Sequence, residues 1–348
     1  MKSIVVEKHE VGMGKPCYIV AELSANHGQC YERAAELVHA AKEAGADAIK
    51  LQTYLPSTIT IDCDSDIFRI QGTIWEGDNL YRLYEKAYTP WDLQPQLKRI
   101  ADDLGLDCFS SPFDPTAVDF LEKMGVPAHK IASFEVVDIP LVRRIALTGK
   151  PIIMSTGMAT LDEIAEAVQT IREAGNEQIV LLKCTSSYPA PPEEMNLRTI
   201  PDLSARFDVP VGLSDHTLGS AVAVTAVALG ACMIEKHFTL ARADGGPDAE
   251  FSMEPYEFKD MVQAIRVAEK ALGRVSYEFT EHEAASRVYR RSLFVVKNVK
   301  AGERFTPENV RSIRPGHGMA PKYTDEVIGR QAACDIAAGT PLSRDLLG

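Results

Sequence analysis

Hydrophobic and polar positions alternate in blocks along most of the chain. From Cys17 to about Gly273, short apolar, β-branched runs are followed by longer segments with apolar residues at helical spacing. This alternation is typical of βαβ units and a parallel sheet. The eight predicted strands are Cys17–Glu22, Ala46–Gln52, Asp107–Ser110, Lys130–Ala132, Pro151–Ser155, Ile179–Cys184, Val209–Leu213 and Cys232–His237. Eight such units favour an α/β fold that closes as a (β/α)8 TIM barrel over an open doubly wound sheet.

Several predicted helices end in a glycine before the next strand. Examples are AAKEAGADAIKLQ and AEAVQTIREAGNEQIVLLKC, in which the glycines are Gly45 and Gly175. Glycine at this position is the usual C-terminal cap of a helix. The pattern therefore marks where helices give way to strands.

One connection is too long for an ordinary βα loop, which usually takes about 2–6 residues. It runs from Thr53 to Thr89 and carries four aromatic residues, Trp75, Tyr81, Tyr84 and Tyr88. We expect it to be an ordered excursion over the barrel mouth. The alternative is a peripheral insertion with its own packing.

The pattern changes after about Ser276 to short predicted strands separated by turn signals. This is typical of a small, mostly β module with its own core. The predicted domains are a catalytic barrel at residues 1–275, a linker at 276–286 and the small module at 287–348.

Composition and charge narrow the class of protein. The 348 residues are 45% hydrophobic and 25% charged, which is ordinary globular usage. The net charge of −12, without a basic run longer than Arg290-Arg291, argues against a nucleic-acid partner.

Seven dispersed cysteines without a CxxC pair are interpreted as reduced, buried small residues. MKSIVVEKHEVG lacks the apolar core of a secretory signal, and no apolar stretch of 18 residues occurs, so we expect a cytoplasmic protein without a membrane partner.

Polar residues stand at the end of every predicted strand. In barrel enzymes the active site is built at this carboxyl end, so these residues are the first candidates for function. Taken singly, each could be a cap or a satisfied core polar group. They are Glu22, Lys50, Gln52, Ser110, Ser111, Lys130, Ser133, Ser155, Thr156, Thr185, Ser186, Ser214, Asp215, His216, Glu235 and His237.

Two histidines end the last two strands. His216 and His237 would lie on neighbouring strands roughly 4.8 Å apart, so both imidazoles could reach one cation. Two histidines that leave coordination positions open fit a catalytic metal rather than a structural one. The last strand also neighbours the first in a closed barrel, which makes Glu22 a candidate general base beside that metal.

Two lysines lie inside predicted strands, where lysine is rarely buried without a partner. One interpretation of Lys50 and Lys130 is ion pairing with Glu22 or Glu235. The other is a clamp for a phosphate or carboxylate, completed by nearby serine hydroxyls. No Walker A or GxGxxG motif is present, so the anion is expected to be a small substrate rather than a nucleotide.

The motifs together resemble the sialic acid synthase superfamily over nearly the whole chain. Those that carry the resemblance are AELSANHGQ, GADAIKLQTY, FSSPFD, KIAS, MSTGMAT, KCTSSYPAPPEEMNLRTI, VGLSDHT, EKHFT and GGPDAEFS. The C-terminal segments RRSLFVV, ERFTPENVRSIRPGHG and VIGRQAACDI are similar to the antifreeze-like (SAF) module of that superfamily. LQTYLPSTIT and GTIWEGDNLYRLYEKAYTPW look most like the pseudaminic acid synthases.

The resemblance implies roles for particular residues. It implies a divalent metal, Mn2+, Co2+ or Mg2+, on His216 and His237. Sugar contacts carry over to Tyr188, Ser214 and Asp248, while Arg314 is expected to reach the barrel of the other subunit in a domain-swapped homodimer. The phosphoenolpyruvate contacts that it implies are Lys50, Gln52, Ser111, Lys130, Ser133 and Ser155.

We therefore expect condensation of phosphoenolpyruvate with an open-chain diacetamido trideoxyhexose. N-acetylneuraminate synthases typically read CTNIYP where this chain has CTSSYP, so Ser186 replaces an asparagine that contacts the sugar. This difference disfavours N-acetylmannosamine. A synthase of neuraminic or legionaminic acid is the alternative substrate assignment, and a non-catalytic sugar-binding protein is the alternative of another class. Arg314 could also be an ordinary surface arginine.

Overall fold

The computed structural model describes residues 3–72, 76–77 and 79–348, and Trp75 of the predicted excursion lies outside them. The chain divides into two compact units, Met1–Gly273 and Arg274–Gly348. The predicted linker limits of 276 and 286 are finer than this division and stay a prediction. In the part of the chain described, no helix combines the length and apolar character needed to cross a membrane.

The first unit is the predicted (β/α)8 barrel. Within the described residues, eight parallel strands close in the order β10-β3-β4-β5-β6-β7-β8-β9. Their bounds are β3 Tyr18–Glu22, β4 Ala48–Thr53, β5 Asp107–Pro112, β6 His129–Ile131, β7 Ile152–Ser155, β8 Ile179–Cys184, β9 Val211–Asp215 and β10 Met233–His237. A short antiparallel hairpin precedes them, formed by β1 Ser3–Val6 and β2 His9–Gly12.

One strand is displaced from its predicted position. The sequence predicted Val209–Leu213, whereas β9 runs from Val211 to Asp215. Pro210 has no N–H to donate to a ladder, and its carbonyl instead accepts a hydrogen bond from the Leu181 N–H at 3.1 Å. Asp215 is therefore inside the strand rather than on the loop that follows it.

One or more helices follow each barrel strand. They are α1 Tyr31–Glu43, α2 Pro56–Ile59, α3 Leu80–Ala87, α4 Gln94–Leu104, α5 Pro115–Met124, α6 Ile139–Ala146, α7 Leu161–Glu173, α8 Thr199–Phe207, α9 Ala221–Ala228 and α10 Pro255–Leu272. The predicted glycine caps are confirmed at α1 and α7, since Gly45 and Gly175 adopt φ of 92° and 83°. Their N–H groups donate to Lys42 O and Arg172 O, so they satisfy carbonyls at the helix ends.

The apolar core has two layers, which leaves the carboxyl ends of the strands for polar residues. Between strands and helices, residues such as Ile19, Leu213 and Ile234 are fully buried. Inside the barrel, Val20 and Phe109 pack at the amino ends of the strands together with the hairpin. The hairpin thus closes one end of the barrel, and the other end is free to form a site.

The long connection packs against loops at the barrel mouth. Tyr84 on α3 meets Tyr54, at the start of the same connection, edge to face at a centroid distance of 5.6 Å, and Tyr54 contacts Phe113 on the loop after β5 at 5.2 Å. The side chain of Gln29, on the loop after β3, donates to Tyr88 O at 3.2 Å. His27 Nε2, on that same loop, lies 2.9 Å from Thr89 Oγ1. These contacts favour the excursion over the mouth and not a peripheral insertion.

The second unit has its own small core. Strands β11 Ser292–Val295 and β12 Val310–Ile313 pair antiparallel, and further bridges such as Val299 with Ile336 extend the β structure. Leu293, Phe305 and Leu342 are fully buried in its core. Helix α11 Glu281–Ser286 precedes the strands, and α12 Thr324–Val327 follows them. This arrangement confirms the predicted mostly β module.

The cysteines are free, but they are not uniformly buried as predicted. Cys17, Cys108, Cys184 and Cys232 are buried, whereas Cys30 and Cys334 are exposed and Cys63 is half-buried. The exposed cysteines lie outside the barrel strands, where no apolar layer covers them. The buried ones act as small residues of the strand layers.

The hairpin offers a direct test of the closed barrel end. Val6 is fully buried and its neighbour Val5 is 52% exposed. We expect Val6→Ala to lower the free energy of unfolding by about 2 kcal/mol, because it removes two buried methyl groups and leaves a cavity. Val5→Ala is the control. Denaturant midpoints that shift equally in both variants would contradict the burial of Val6 at the barrel end.

Candidate active site

The carboxyl ends of the strands bring a lysine and two glutamates together. Lys50 Nζ lies 2.6 Å from Glu22 Oε2 and 3.5 Å from Glu235 Oε1. All three side chains are buried. The residues come from β4, β3 and β10, and their side chains meet because alternate residues of each strand face the barrel interior. The ion pairing considered for Lys50 is therefore present.

Hydroxyl and amide groups complete this cluster. Gln52 Nε2 donates to Glu22 Oε1 at 3.2 Å, and Lys50 Nζ donates to Ser111 Oγ at 3.5 Å. Ser214 Oγ donates to Glu235 Oε1 at 3.1 Å. The predicted residues of β4, β5 and β9 thus share one network with the two carboxylates.

The two glutamates differ in acidity. Burial raises the pKa of Glu22, and the nearby Lys50 ammonium offsets this only in part. Burial opposes ionisation of Glu235 as well, but the ammonium groups of Lys130 and Lys50 outweigh it and lower its pKa. A pair of carboxyl groups whose pKa values are driven apart is suited to separate acid–base and electrostatic roles.

The second lysine lies in a different environment. Lys130 Nζ donates to Ser155 Oγ at 2.6 Å and to Ile131 O at 3.0 Å. Among the residues that the structure describes, no carboxylate lies within salt-bridge distance of it, although the side chain is 1% exposed. Burial lowers its pKa because the charged form is poorly solvated. A buried ammonium group whose hydrogen-bond partners are neutral oxygens is suited to bind an anion.

A glycine brings the backbone close to this lysine site. The Gly157 N–H donates to Ser133 Oγ at 3.1 Å. A Cβ at residue 157 would lie 2.7 Å from Ser133 Oγ and closer still to Ser186 Oγ. Ser133 and Ser186 therefore share a tight wall with the loop after β7, a wall that a larger residue 157 would disrupt.

The two histidines converge as predicted. Their ring centroids lie 5.4 Å apart. His216 Nδ1 is 3.0 Å from Thr185 O, which accepts its proton and leaves Nε2 as the free ligand atom. His237 Nδ1 is buried with no hydrogen-bond partner in the described part of the chain, and burial lowers the pKa of this imidazole.

These features fit a divalent cation bound by two imidazoles. Burial disfavours the charged form of His216, but the adjacent Cys184 outweighs this and raises the pKa of the ring. An orphaned ring nitrogen at His237 and a fixed tautomer at His216 are both suited to ligation. Among the described residues, no group of three or more His, Cys, Asp or Glu side chains is arranged to hold a metal ion. A cation on the two histidines would therefore keep positions for water or substrate, as catalytic sites do.

Aromatic rings form one side of the histidine site. Tyr188 packs on His216 with the rings tilted at 41° and a centroid distance of 4.3 Å, and Phe251 contacts His237 at 4.9 Å. Tyr188 and Phe251 lie 5.1 Å apart. The predicted Tyr188 is thus part of an apolar wall that can exclude water from the histidines.

Asp248 joins the carboxylate cluster through a serine. The Ser24 hydroxyl donates to Asp248 Oδ2 and accepts from Gln52 Nε2, the latter at 3.2 Å. The predicted Asp248 is therefore two hydrogen bonds away from Gln52. Arg314 belongs to the second unit, where it is exposed directly after β12, and its role stays a prediction.

Sequence reasoning missed three residues of this site. Phe251 lies on an irregular segment before α10, and Glu135 and Cys184 were not proposed for chemistry. Burial raises the pKa of Glu135 to about 7, and its Oε2 has no hydrogen-bond partner in the described residues. Burial disfavours the Cys184 thiolate, but the adjacent His216 outweighs this and lowers the thiol pKa to about 7. The FEVVD and EFS segments gave no periodic signal for Glu135 or Phe251.

Ser110 and Asp215, both expected at the mouth, face the other way. Ser110 Oγ lies 2.6 Å from Thr53 Oγ1 on the outer face of β5 and β4. Asp215 was grouped with the polar residues at the strand ends, but its carboxylate pairs with Lys236 Nζ at 2.6 Å. Lys236 lies between Glu235 and His237, which both face the barrel interior, so the alternation of the strand directs it outward. Asp215 therefore does not join the cluster that contains Ser214.

Comparison with known proteins agrees with this geometry. Residues 37–277 match the NeuB family model, and residues 290–347 match the SAF domain model. The chain is 46% identical over 337 residues to a pseudaminic acid synthase of Helicobacter pylori, covering 96% of this chain and 98% of that one. It is 46% identical over 330 residues to a pseudaminic acid synthase of Campylobacter jejuni, covering 95% and 96%.

A solved structure shows the same likeness. The N-acetylneuraminic acid synthetase of Leptospira borgpetersenii superposes with a TM-score of 0.72 at 31% identity, covering 82% of this chain and 95% of that one. The resemblance drawn from the motifs is confirmed. The chain belongs to the NeuB family of sialic acid-type synthases and carries a C-terminal SAF domain.

Proposed function

We propose that this enzyme is a pseudaminic acid synthase. It condenses phosphoenolpyruvate with the open-chain aldehyde of 2,4-diacetamido-2,4,6-trideoxy-L-altrose and water, giving pseudaminic acid and phosphate. The observation that carries the proposal is the buried Lys130, which has only neutral oxygen partners in the described residues and lies in the same barrel mouth as the histidine pair. The 46% identity to two pseudaminic acid synthases supports the choice of sugar.

In this proposal the lysines hold phosphoenolpyruvate. Lys130, with Ser133 and Ser155, donates to one anionic group of the substrate, and Lys50 with Ser111 donates to the other. Gln52 adds an amide donor. Fixing the phosphate and the carboxylate orients C3 toward the aldehyde. Part of the entropy that the reaction step would cost is therefore already lost on substrate binding.

The sugar lies toward the histidines. A divalent ion on His216 and His237 supplies, when bound, polarisation of the aldehyde oxygen. Tyr188 and Ser186 contact the sugar in this proposal, and Phe251 excludes water from the same side. Ser214 and Asp248 offer polar contacts to hydroxyl and acetamido groups. C3 of phosphoenolpyruvate attacks the aldehyde carbon, forming the new C–C bond, and the aldehyde oxygen becomes a hydroxyl group on protonation.

Glu22 acts after the C–C bond has formed. C2 then carries cationic character, water adds to it, and Glu22 takes the proton that the water loses. The raised pKa of Glu22 favours this role, because a stronger base accepts the proton more readily. The tetrahedral intermediate breaks its C–O bond to release phosphate. Glu235, kept ionised by the lysines, stabilises the transient positive charge at C2.

We further infer a cytoplasmic homodimer, since phosphoenolpyruvate is a cytoplasmic metabolite and the SAF module is expected to serve the partner's barrel. In that arrangement, Arg314 of the partner subunit binds the sugar with its planar guanidinium. The site is then complete only in the dimer.

A substrate panel tests the proposed function. Phosphate release from phosphoenolpyruvate should be fastest with the 2,4-diacetamido-trideoxy-altrose, and slow with N-acetylmannosamine or the precursor of legionaminic acid. The reason is that a pocket built for two acetamido groups in the altrose configuration leaves polar atoms unpaired when one group is missing, as in N-acetylmannosamine, or is held in another direction, as in the precursor of legionaminic acid. Faster turnover with either competitor would reassign the substrate, and no phosphate release with any hexose would refute a synthase.

The anion site is tested by Lys130→Met. We expect kcat/KM for phosphoenolpyruvate to fall about 10- to 100-fold, because a charge-assisted contact to a buried anion is lost, while KM for the sugar stays nearly unchanged. Lys183→Met is the matched control. Lys183 lies on β8 and donates to Cys184 O at 2.7 Å, and the strand alternation directs it outward with Leu181. Unchanged phosphoenolpyruvate kinetics in Lys130→Met would assign Lys130 to the fold alone.

Subunit mixing tests the dimeric site. Arg314→Ala and Glu22→Ala homodimers should each be impaired. Heterodimers that combine one subunit of each kind should regain about half of the wild-type activity per mixed dimer, because one site then has both intact residues. Heterodimers that form but stay inactive would rule out a contribution of Arg314 in trans.

A further inference from the structure

A buried ion pair lies behind the two histidines, on the outer side of the barrel wall. Lys236 Nζ is 2.6 Å from Asp215 Oδ2, and both side chains are at most 1% exposed. Neither residue takes part in the network of Glu22 and Lys50. The pair is therefore separate from the groups that would touch the substrates.

The strand register relates this ion pair to the histidines. Ser214 pairs with Glu235, and Asp215 with Lys236, across the parallel strands β9 and β10. One further step along both strands reaches His216 and His237. Since successive side chains alternate, the ion pair faces outward directly before the position at which both imidazoles face inward.

Hydrogen bonds extend from the ion pair around His216. Asp215 Oδ1 accepts from the Thr217 N–H at 2.9 Å and from Thr217 Oγ1 at 2.8 Å. Lys236 Nζ also donates to Thr217 O at 2.6 Å. The residues before and after His216 are thus bonded to one another and to the residue before His237. This closed set of bonds fixes the backbone of His216 relative to β10.

The chemistry of this layer is unusual for its position. The preceding outward residues on the same strands are Leu213 and Ile234, both fully buried and apolar. Burying two charges carries a desolvation cost of several kcal/mol per ion, and well-packed apolar residues are often at least as stabilising. Stability alone therefore does not explain a charged pair here, whereas directional bonds to the histidine turn do.

We propose that Lys236 and Asp215 are positioning residues that hold His216 and His237 in the orientation needed to bind one divalent cation together. The inference rests on the metal site of the proposed function. Outer partners of metal ligands typically change metal affinity by about 10- to 100-fold when removed.

Mn2+ binding to the full-length protein, measured by electron paramagnetic resonance without substrates, tests this. We expect Lys236→Met to raise the Kd for Mn2+ about 10- to 100-fold and to lower Tm, since Asp215 loses its partner. Ile234→Ala is the matched control, because it lies on the same strand and outward layer. It should lower Tm by creating a cavity but leave the Kd unchanged.

A double variant separates positioning from stability. Asp215→Leu combined with Lys236→Met replaces the ion pair by apolar residues, so Tm should recover much of the loss seen in Lys236→Met. The Kd for Mn2+ should stay raised, because the bonds to Thr217 are gone. If Lys236→Met does not fold, the double variant decides by itself.

The outcomes are distinct. Wild-type Mn2+ affinity in Lys236→Met or in the double variant would overturn the positioning role while leaving the proposed function intact. A raised Kd in Ile234→Ala equal to that in Lys236→Met would also overturn it. If the wild-type protein failed to bind Mn2+ and kept its full activity on chelation, the metal site itself would be overturned, and this inference with it.

Discussion

The burial of Lys50 and Lys130 inside the barrel is the constraint on which the rest of the site depends. An isolated ammonium group in an apolar interior is strongly disfavoured, so each must find compensation. Lys50 finds it in two carboxylates, at 2.6 and 3.5 Å. Lys130 finds only neutral oxygens among the described residues. At Lys130 the mouth of the barrel therefore has a positive charge without a carboxylate in salt-bridge distance among the described residues, whereas the positive charge of Lys50 is paired with carboxylates.

This asymmetry determines the acidity of the glutamates. Glu235 is attracted by both lysines and is kept ionised, whereas burial dominates at Glu22 and raises its pKa. An anionic substrate beside Lys130 would reduce the positive potential in the site. In the proposed mechanism the basicity of Glu22 would then increase as substrate binds, which would couple the filling of the anion site to the activation of water. The chemistry thus follows from where charge is buried.

Much of the fold was accessible from the sequence because its signals are local. Alternation of apolar runs and helical spacing located all eight barrel strands, and glycines such as Gly45 marked helix ends. The error at β9 arose because the sequence pattern did not weigh Pro210, which cannot donate an N–H to the ladder. A shift of two residues keeps the inward and outward faces, so Ser214 still lies on the inner face beside Glu235.

The site was predicted unevenly, for a physical reason. Residues on strands, such as Lys50 and His237, have a face fixed by the period of two. Glu135 lies in the short 3-10 helix Ser133–Glu135 and Phe251 on an irregular segment, and only tertiary packing determines the direction of both side chains. The pairing of side chains across neighbouring strands could not be predicted from the sequence either. The sequence placed Asp215 among the mouth residues, because nothing in a single strand shows that its carboxylate will form an ion pair with Lys236 of the next strand.

The outward and inward faces of β9 and β10 therefore have to be understood together. On the inner face, Ser214 donates to Glu235, and the histidines follow one step later. On the outer face, an ion pair occupies the level between these two contacts. A purely apolar outer face would pack the strands against the helices without fixing the turn at His216, since dispersion contacts have little directionality. In the proposed metal site, directional bonds on the outer face would thus supply the rigidity that two converging histidine ligands on the inner face require.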